Sequence, residues 1–402
     1  MDGFTNPVTC THALHAGLLT LSISHQSQDG LFQIAERENP KRAFLFVSRV
    51  LGRHIPVDPA NHRAVLSALV ERILPHIGVG SVLVMSYAET AIGLGLGVFD
   101  LLAPRVPSQR VGYLPTTRFR PENLSPWFAT REEHSHAVDH MIFRPLPEVL
   151  PDGHDMSLVL VDDETSTGNT FAGLAESLER QGLEPARVVL VTLTDWSDSK
   201  STGIVSKIFP RAQVTAVSLL VGAYFWEPAQ GAALRALPVG CAPECPRWTP
   251  AVDAAFGVPR MGISAEAHRA EVAEWRSLVD GQIIGRIAPG ARVLVIGSGE
   301  HVWHPFLAAE QIAQAGYTTR FLATTRSPVV RGPVVRHQIT FPDHYGIGLT
   351  MYLNNVQPEA WDEILLFTET NLDGIPNTLR TALGKGWIIA ADGITPMTGE
   401  TS

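Results

Sequence analysis

Charge is sparse in this sequence. Asp, Glu, Lys and Arg make up only 18% of its 402 residues, against 45% hydrophobic. Such a chain is not held open by self-repulsion, and it has enough apolar material for two domain cores rather than one large one. The charge present leans acidic, with a formal net of −9, which argues against a nucleic-acid partner held by general electrostatics. A few local cations still suffice for a small anion. Cysteine is scarcer: Cys10, Cys241 and Cys245 cannot form a disulfide framework for a chain this long. Cys241 and Cys245 stand in Val239-Gly240-Cys241-Ala242-Pro243-Glu244-Cys245-Pro246, which reads as half of a zinc site or as plain linker cysteines. No apolar stretch approaches ~18 residues, so no membrane-spanning helix is expected. The opening Met1-Asp2-Gly3-Phe4-Thr5-Asn6 has neither the basic flank nor the apolar run of a signal peptide. The expectation is a soluble, cytoplasmic protein without a membrane or nucleic-acid partner.

What is there is an alternation of short apolar runs with helical patterns, the signature of an α/β fold with a parallel sheet flanked by helices. Up to about residue 40 no period is sustained, and that stretch reads as irregular. Strands are predicted over 44–47, 81–85, 110–113, 157–161, 188–193 and 213–220. Helices are predicted over 60–74, 91–102 and 169–181, the last closed by Gly182. The segment 115–145 is rich in Arg, Glu and His, lacks periodicity, and reads as a long functional loop. Residues 237–258 collect prolines and both late cysteines and read as a linker. The chain then divides into a first domain over 1–236 and a smaller α/β domain over 259–402. The second has a helix predicted over 265–280 and strands over 292–296, 319–323 and 363–368.

The most informative segment is Ser157-Leu158-Val159-Leu160-Val161-Asp162-Asp163-Glu164-Thr165-Ser166-Thr167-Gly168-Asn169-Thr170. A buried strand ends in two carboxylates, followed by a turn of small residues and a helix start. Thr165, Ser166, Thr167, Gly168, Asn169 and Thr170 can aim amides and hydroxyls at one phosphate, aided by the helix dipole. Gly168 permits a close turn. Asp162 and Asp163 can accept from vicinal ribose hydroxyls or help hold a hydrated magnesium ion. Ordinary helix capping would use the same hydroxyl residues, but it needs neither both acids nor so many of them.

These residues closely resemble the phosphoribosyl-diphosphate (PRPP) motif of type I phosphoribosyltransferases. Ser86-Tyr87-Ala88-Glu89-Thr90-Ala91, after the strand over 81–85, matches the short loop that binds pyrophosphate in that family. The segment 115–145 falls where those enzymes carry a mobile covering loop. Thr324-Thr325-Arg326-Ser327-Pro328 resembles the signature of the TRSP domain, which follows such a transferase domain in proteins of tellurite-resistance-associated gene clusters. Phe44-Leu45-Phe46-Val47-Ser48 and Glu133-His134-Ser135-His136 resemble the same group. The resemblance implies a type I phosphoribosyltransferase fold followed by a smaller Rossmann-like domain, PRPP and a small-molecule acceptor as ligands, Mg2+ as cofactor, and a homodimer.

By the same resemblance the loop from Thr165 to Thr170 holds the 5-phosphate, Asp162 and Asp163 face the ribose and metal, and Tyr87, Ala88, Glu89 and Thr90 offer amides to pyrophosphate. Arg118, Arg120 and Arg131 are candidates for closing over the leaving group, or are solvated loop charges. In the 6-oxopurine members an aspartate before the Thr-Gly step serves the purine as base. Ser166 stands there and cannot do so unaided, which weakens a hypoxanthine or guanine role. Glu132, Glu133 and His134 are the remaining candidates for a catalytic base. His134, His136 and His140, beside Asp139, could bind a transition metal or line a polar lid. Val293-Leu294-Val295-Ile296-Gly297-Ser298-Gly299-Glu300 is a strand with a Gly-rich turn, but no acid follows about 20 residues on, as a dinucleotide site requires. Gly297, Ser298 and Gly299 with Arg326 instead suggest a phosphate or carboxylate contact, or a structural turn. His301, Trp303, His304, His344 and Tyr345 could join it across an interdomain cleft, or simply pack. A non-catalytic PRPP or nucleotide sensor, or a lyase or hydrolase of a phosphoribosyl compound, remain alternatives to transfer.

Overall fold

The structure is a computed structural model, and it describes residues 7–39, 42–121, 124–130, 140–150, 155–231, 234 and 256–397. The linker cysteines, Arg131, Glu132, Glu133, His134 and His136 lie outside the described residues.

The N-terminal stretch expected to be irregular forms three strands: β1 (Val8–Leu14), β2 (Gly17–Gln26) and β3 (Phe32–Glu36). The signal there is period two, with Leu19, Leu21 and Ile23 buried and the polar residues between them turned outward. A reading for continuous apolar runs passes over it. Strand β3 pairs antiparallel with β4 (Phe44–Ser48). Helix α1 (Pro59–Ile73) starts where Asp58 accepts from the Ala60 amide at 3.0 Å and Pro59 presets the first turn. It is followed by β5 (Val82–Ser86), α2 (Ile92–Leu102), β6 (Val111–Pro115) and the short hairpin β7 (Phe128–Thr130) and β8 (His140–Ile142). Then come β9 (Ser157–Val161), β10 (Glu164–Thr165), α3 (Asn169–Arg180), β11 (Arg187–Asp195), α4 (Lys200–Ile208) and β12 (Gln213–Pro228). Strand β12 outruns its expected end because its second half pairs with β2.

Beyond residue 256 the elements are β13 (Ile263–Ser264), α5 (Ala265–Leu278), β14 (Arg292–Gly297), α6 (Trp303–Gln314), β15 (Thr318–Ala323), β16 (Gln338–Pro342), β17 (Thr350–Asn354), β18 (Glu363–Phe367), α7 (Asn377–Leu383), β19 (Trp387–Ala390) and β20 (Gly393–Pro396). Among the described residues the first sheet runs β1-β2-β12-β11-β9-β5-β6-β13, with β10 also on β11. The second runs β15-β14-β18-β19-β20, parallel except at β20.

In the middle of the first sheet β5 and β9 are buried on both faces, which is why they read as unbroken apolar runs. Leu83, Met85, Leu158 and Leu160 face α3, against Phe171, Leu174 and Leu178. The alternate residues Val82, Val84, Val159 and Val161 belong to a core that runs without a break through α1 and α2 to Trp303, Phe306, Val293 and Val295 of the second unit. The units also exchange backbone pairing. Val57 and Phe321 donate to each other's carbonyls at 2.8 Å, and β13 pairs with β6 of the first sheet.

The stretch 115–119, expected to begin a covering loop, is fixed. Pro115 through Phe119 are buried, Thr117 exchanges two 2.9 Å backbone bonds with Met141, and the Phe119 ring stacks on Tyr345 at 4.0 Å. The sequence lacks periodicity here because these residues bridge two domains instead of lying along one face of an element.

Candidate active site

The carboxyl ends of β5 and β9, central neighbours in the first sheet, open into a cavity of about 530 Å³. A crevice at the strand ends of such a sheet is where α/β folds bind ligands. One wall is the predicted phosphate loop, with Asp162, Asp163, Thr165, Ser166, Thr167 and Thr170 all lining the cavity. The loop is held open by the neighbouring strand: the Asp162 amide donates to Val191 O at 2.9 Å, the Leu193 amide to Asp163 O at 3.0 Å and the Trp196 amide to Thr165 O at 2.7 Å. Gly168 closes it at φ +82° as the N-cap of α3, and a Cβ there would lie 2.6 Å from Ser201 Cα. The residue is therefore glycine for its left-handed backbone and for the approach of α4, as well as for the turn. Asn169 is exposed at the first turn of α3.

Three carboxylates stand in a row on this wall. Glu164, not singled out in the sequence, pairs with Arg42 at 2.6 Å, and the Arg42 guanidinium lies 5.0 Å from the Phe44 ring centroid. Burial and the Glu164 charge push the Asp163 carboxyl up to about 6. Adjacent carboxylate oxygens suit a hard divalent cation, whose charge would hold Asp163 ionised. Asp162 and Asp163 thus fit the magnesium ion expected for a PRPP site, with the ligand and water completing the shell. Among the described residues no group of three His, Cys, Asp or Glu side chains forms a self-sufficient metal cage.

The facing wall is Tyr87, Ala88, Glu89 and Thr90, with a cis peptide at Ala88–Glu89. The expectation of four amides for pyrophosphate is corrected here. The Tyr87 amide donates to Val161 O at 3.3 Å and the Ala88 amide to Thr116 Oγ1 at 2.8 Å, which leaves those of Glu89 and Thr90 for a ligand. Tyr87 braces the two walls, donating its hydroxyl to Thr170 O at 3.2 Å; burial and the Asp162 charge hold its phenol well above the ordinary range. Arg118 lines the cavity but is set, not closing. Its Nε donates to Ala88 O at 3.3 Å and its Nη2 to His140 Nε2 at 2.8 Å. Since Arg only donates, His140 is the Nδ1–H tautomer, donating to Thr116 Oγ1 at 2.9 Å. With both ring nitrogens occupied, His140 is a poor third member for a histidine metal site. Arg120 is exposed and does not line the cavity.

The third wall comes from the second unit: Thr325, Arg326, Ser327, Pro328 and Leu349. Arg326 Nε donates to Glu89 Oε2 at 2.9 Å. Arg53, not singled out in the sequence, grips the same acid from behind. Its buried guanidinium donates to Glu89 O at 2.5 Å, to Glu89 Oε1 at 3.3 Å, and to the carbonyls of Gly299 and Thr324 at 2.8 Å.

The turn Gly297, Ser298 and Gly299 is not brought to the cavity beside Arg326. It is buried, its Gly299 amide donates to Thr324 Oγ1 at 2.8 Å, its Gly299 carbonyl accepts from Arg53, and the Ser298 carbonyl accepts from Tyr345 at 2.9 Å. The contact expected of it with a phosphate or carboxylate is taken by its own neighbours. His301, Trp303, His304, His344 and Tyr345 are likewise buried. Trp303 meets Arg63 and Tyr345 stacks on Phe119 across the interface, while His304 packs on Phe256 and Trp275 and His344 beside Phe341.

With this geometry in view, the similarity to known proteins is specific. Residues 31–223 match the family described as "Phosphoribosyl transferase", and residues 258–380 match the "TRSP domain C terminus to PRTase_2". The chain thus carries a domain of the phosphoribosyl transferase family followed by a TRSP domain. Solved structures similar to the transferase domain include adenine phosphoribosyltransferase from Trypanosoma brucei, in complex with AMP, pyrophosphate and ribose-5-phosphate. It is 11% identical, with a TM-score of 0.33, over 47% of this chain and 76% of that one. Orotate phosphoribosyltransferase from Aeropyrum pernix is 18% identical, with a TM-score of 0.28, over 47% and 86%. Adenine phosphoribosyltransferase from Thermoanaerobacter pseudethanolicus is 14% identical, with a TM-score of 0.31, over 47% and 95%. No curated protein sequence matches the chain significantly. Among the described residues no helix is long and apolar enough to cross a membrane.

Proposed function

We propose that the transferase domain moves the 5-phosphoribosyl group of PRPP to a small nitrogenous acceptor, with Mg2+ as cofactor. The observation that carries this is the convergence on one cavity of the Thr165–Thr170 loop, the paired acids Asp162 and Asp163, and the Tyr87–Thr90 loop. As the bond from ribose C1 to pyrophosphate breaks, positive charge grows on the ring and negative charge on the leaving oxygen. Fixed donors opposite the leaving group and carboxylates near the ring lower the energy of both. The α3 N-terminus and the loop hydroxyls anchor the 5-phosphate at one end of the sugar, while Glu89 and Thr90 offer amides at the other. A bound Mg2+ would neutralise oxygens of the pyrophosphate and ribose, with Asp162 and Asp163 as its protein ligands. Glu132, Glu133 and His134 remain the proposed source of a base for the acceptor. The reaction fits a cytoplasmic enzyme working where PRPP is made.

Calorimetric titration of the full chain with PRPP and Mg2+ tests this, beside an Asp162→Asn, Asp163→Asn double variant. Binding by the native protein that the variant loses is the expected result. A folded native protein that leaves PRPP in solution would refute the reading.

A further inference from the structure

We propose that Arg326, carried by the TRSP domain, is a direct ligand of the diphosphate leaving group, so that the active site is divided between the two domains. The inference rests on the PRPP reading above and adds a residue from outside the transferase domain.

Asp162, Asp163 and Glu164 belong to the phosphate-loop wall of the cavity, where Arg42 offsets only Glu164. Arg118 and Arg326 contact the Tyr87–Thr90 loop at Ala88 O and Glu89 Oε2 and, with Arg53 behind, outnumber Glu89 and make that end cationic. Diphosphate carries several negative charges, so it must lie at the cationic end. The guanidinium groups there differ in what they have left to give. Arg53 is 3% exposed and directs its terminal nitrogens to Glu89, Gly299 and Thr324, behind the loop. Arg118 is 8% exposed and is engaged by Ala88 and His140. Arg42, at the acidic end, is paired with Glu164.

Arg326 is different. Only its Nε is committed, to Glu89 Oε2 at 2.9 Å, and its side chain is 14% exposed on the cavity wall. Its two terminal nitrogens have no protein acceptor among the described residues. That is the edge of a guanidinium that meets phosphate in a two-pronged fashion. Glu89 aims it and does not cancel it, because Glu89 is shared with Arg53 and the trio keeps a net positive charge. The segment bearing Arg326 is anchored as well. The Thr325 amide and carbonyl pair with Tyr352 at 2.9 and 2.8 Å, and the Ser327 amide donates to Thr325 Oγ1 at 3.1 Å. A donor held in place before the ligand arrives loses little entropy when it binds.

The test is calorimetry on the full chain with three probes in the presence of Mg2+: inorganic diphosphate, PRPP and ribose 5-phosphate. Arg326→Ala is expected to weaken diphosphate and PRPP by about 10- to 100-fold, the effect of one charge-assisted pair of hydrogen bonds. Ribose 5-phosphate, held by the other wall, should bind within about twofold of native, which also verifies that the variant is folded. Glu89→Gln separates contact from bracing. If Arg326 touches diphosphate, removing the neighbouring negative charge preserves or tightens diphosphate binding. Equal weakening by Glu89→Gln and Arg326→Ala would show that Arg326 only braces the loop and would overturn the inference, as would native-like diphosphate binding by Arg326→Ala. Failure of the native protein to bind PRPP overturns the underlying reading instead, before any substitution is made.

Discussion

Arg260 is the residue whose removal should damage this protein most for its size. It is 5% exposed at the junction of the domains and gives Glu369 a two-pronged ion pair, Nη1 to Oε2 at 2.8 Å and Nη2 to Oε1 at 2.7 Å. Its Nη2 also reaches Glu300 at 3.4 Å, while Glu300 accepts from Thr117 Oγ1 at 2.5 Å and from the Arg118 amide at 2.7 Å. The two acids respond differently. Arg260 holds Glu369 below the usual carboxylate range against the pull of burial, whereas for Glu300 burial prevails and its carboxyl is raised. Arg260→Met would leave two carboxylates facing each other out of water. Breaking a buried pair this way costs about 3–5 kcal/mol, which for a chain of this length unfolding as one unit is roughly 4–6 °C in Tm.

The sign of the pH dependence is the sharper test. In the native protein Glu369, with its depressed pKa, adds stability above the unfolded carboxylate pKa, and this is lost on acidification through the lower folded value. In Arg260→Met both acids are raised, so the variant should gain stability, relative to native, as the pH falls from 7 toward 5. Thermal denaturation followed by far-UV circular dichroism at both pH values measures this. Adding Glu300→Gln and Glu369→Gln to Arg260→Met should recover most of the loss at pH 7. A Tm deficit below about 1 °C, or one equal at both pH values, would refute the assignment of Arg260 as the counterion that keeps these two buried acids in place.

Two further outcomes are expected. Because the Asp163 carboxyl sits at about 6 and cation binding needs it ionised, affinity for PRPP with Mg2+ should fall by up to about tenfold per pH unit below 6 and level off above it. Calorimetry across pH 5–8 reads this, and Asp163→Asn should remove that component. Gly168→Ala places a Cβ at φ +82°, 2.6 Å from Ser201 Cα. It should cost about 1–3 kcal/mol in urea denaturation and weaken ribose 5-phosphate binding by displacing the loop.

The elements legible in the sequence are those whose signal is local. Strands β5, β9 and β14 are buried on both faces and appear as unbroken apolar runs, and the turn after β9 is written in consecutive residues from Asp162 to Thr170. Strands β1 and β2 were not legible as runs because only alternate residues turn inward. The site divides the same way. The phosphate loop was read directly, but the grip of Arg53 on Glu89 joins residues 36 apart, and the bond from the Arg118 amide to Glu300 spans 182. Such pairs leave no trace in spacing. Arg326, grouped with Gly297–Gly299 on the sequence, lines the cavity without them, since the turn they form faces the interior. Their backbone groups were already taken by Thr324, Arg53 and Tyr345.

These long-range ties bear on what the second domain is for. A module joined only by a tether would present its own closed surface and a modest, polar contact. Here a single apolar cluster runs from Val159 and Val161 through α1 and α2 to Trp303 and Phe306. The segment at Val57 lies on the edge of β15, and β13 lies on the edge of the first sheet. Arg63 of α1 is held to Glu310 of α6 at 2.6 Å. Separating the domains would expose this apolar surface, strip two sheet edges, take the Gly299 and Thr324 acceptors from Arg53 and the Thr117 and Arg118 donors from Glu300, so the cost is that of unfolding rather than of opening. An interface that cannot open cheaply is poorly suited to a hinge but well suited to fixing the Thr325–Pro328 wall opposite the phosphate loop. The physical role most consistent with that rigidity is to complete the cavity.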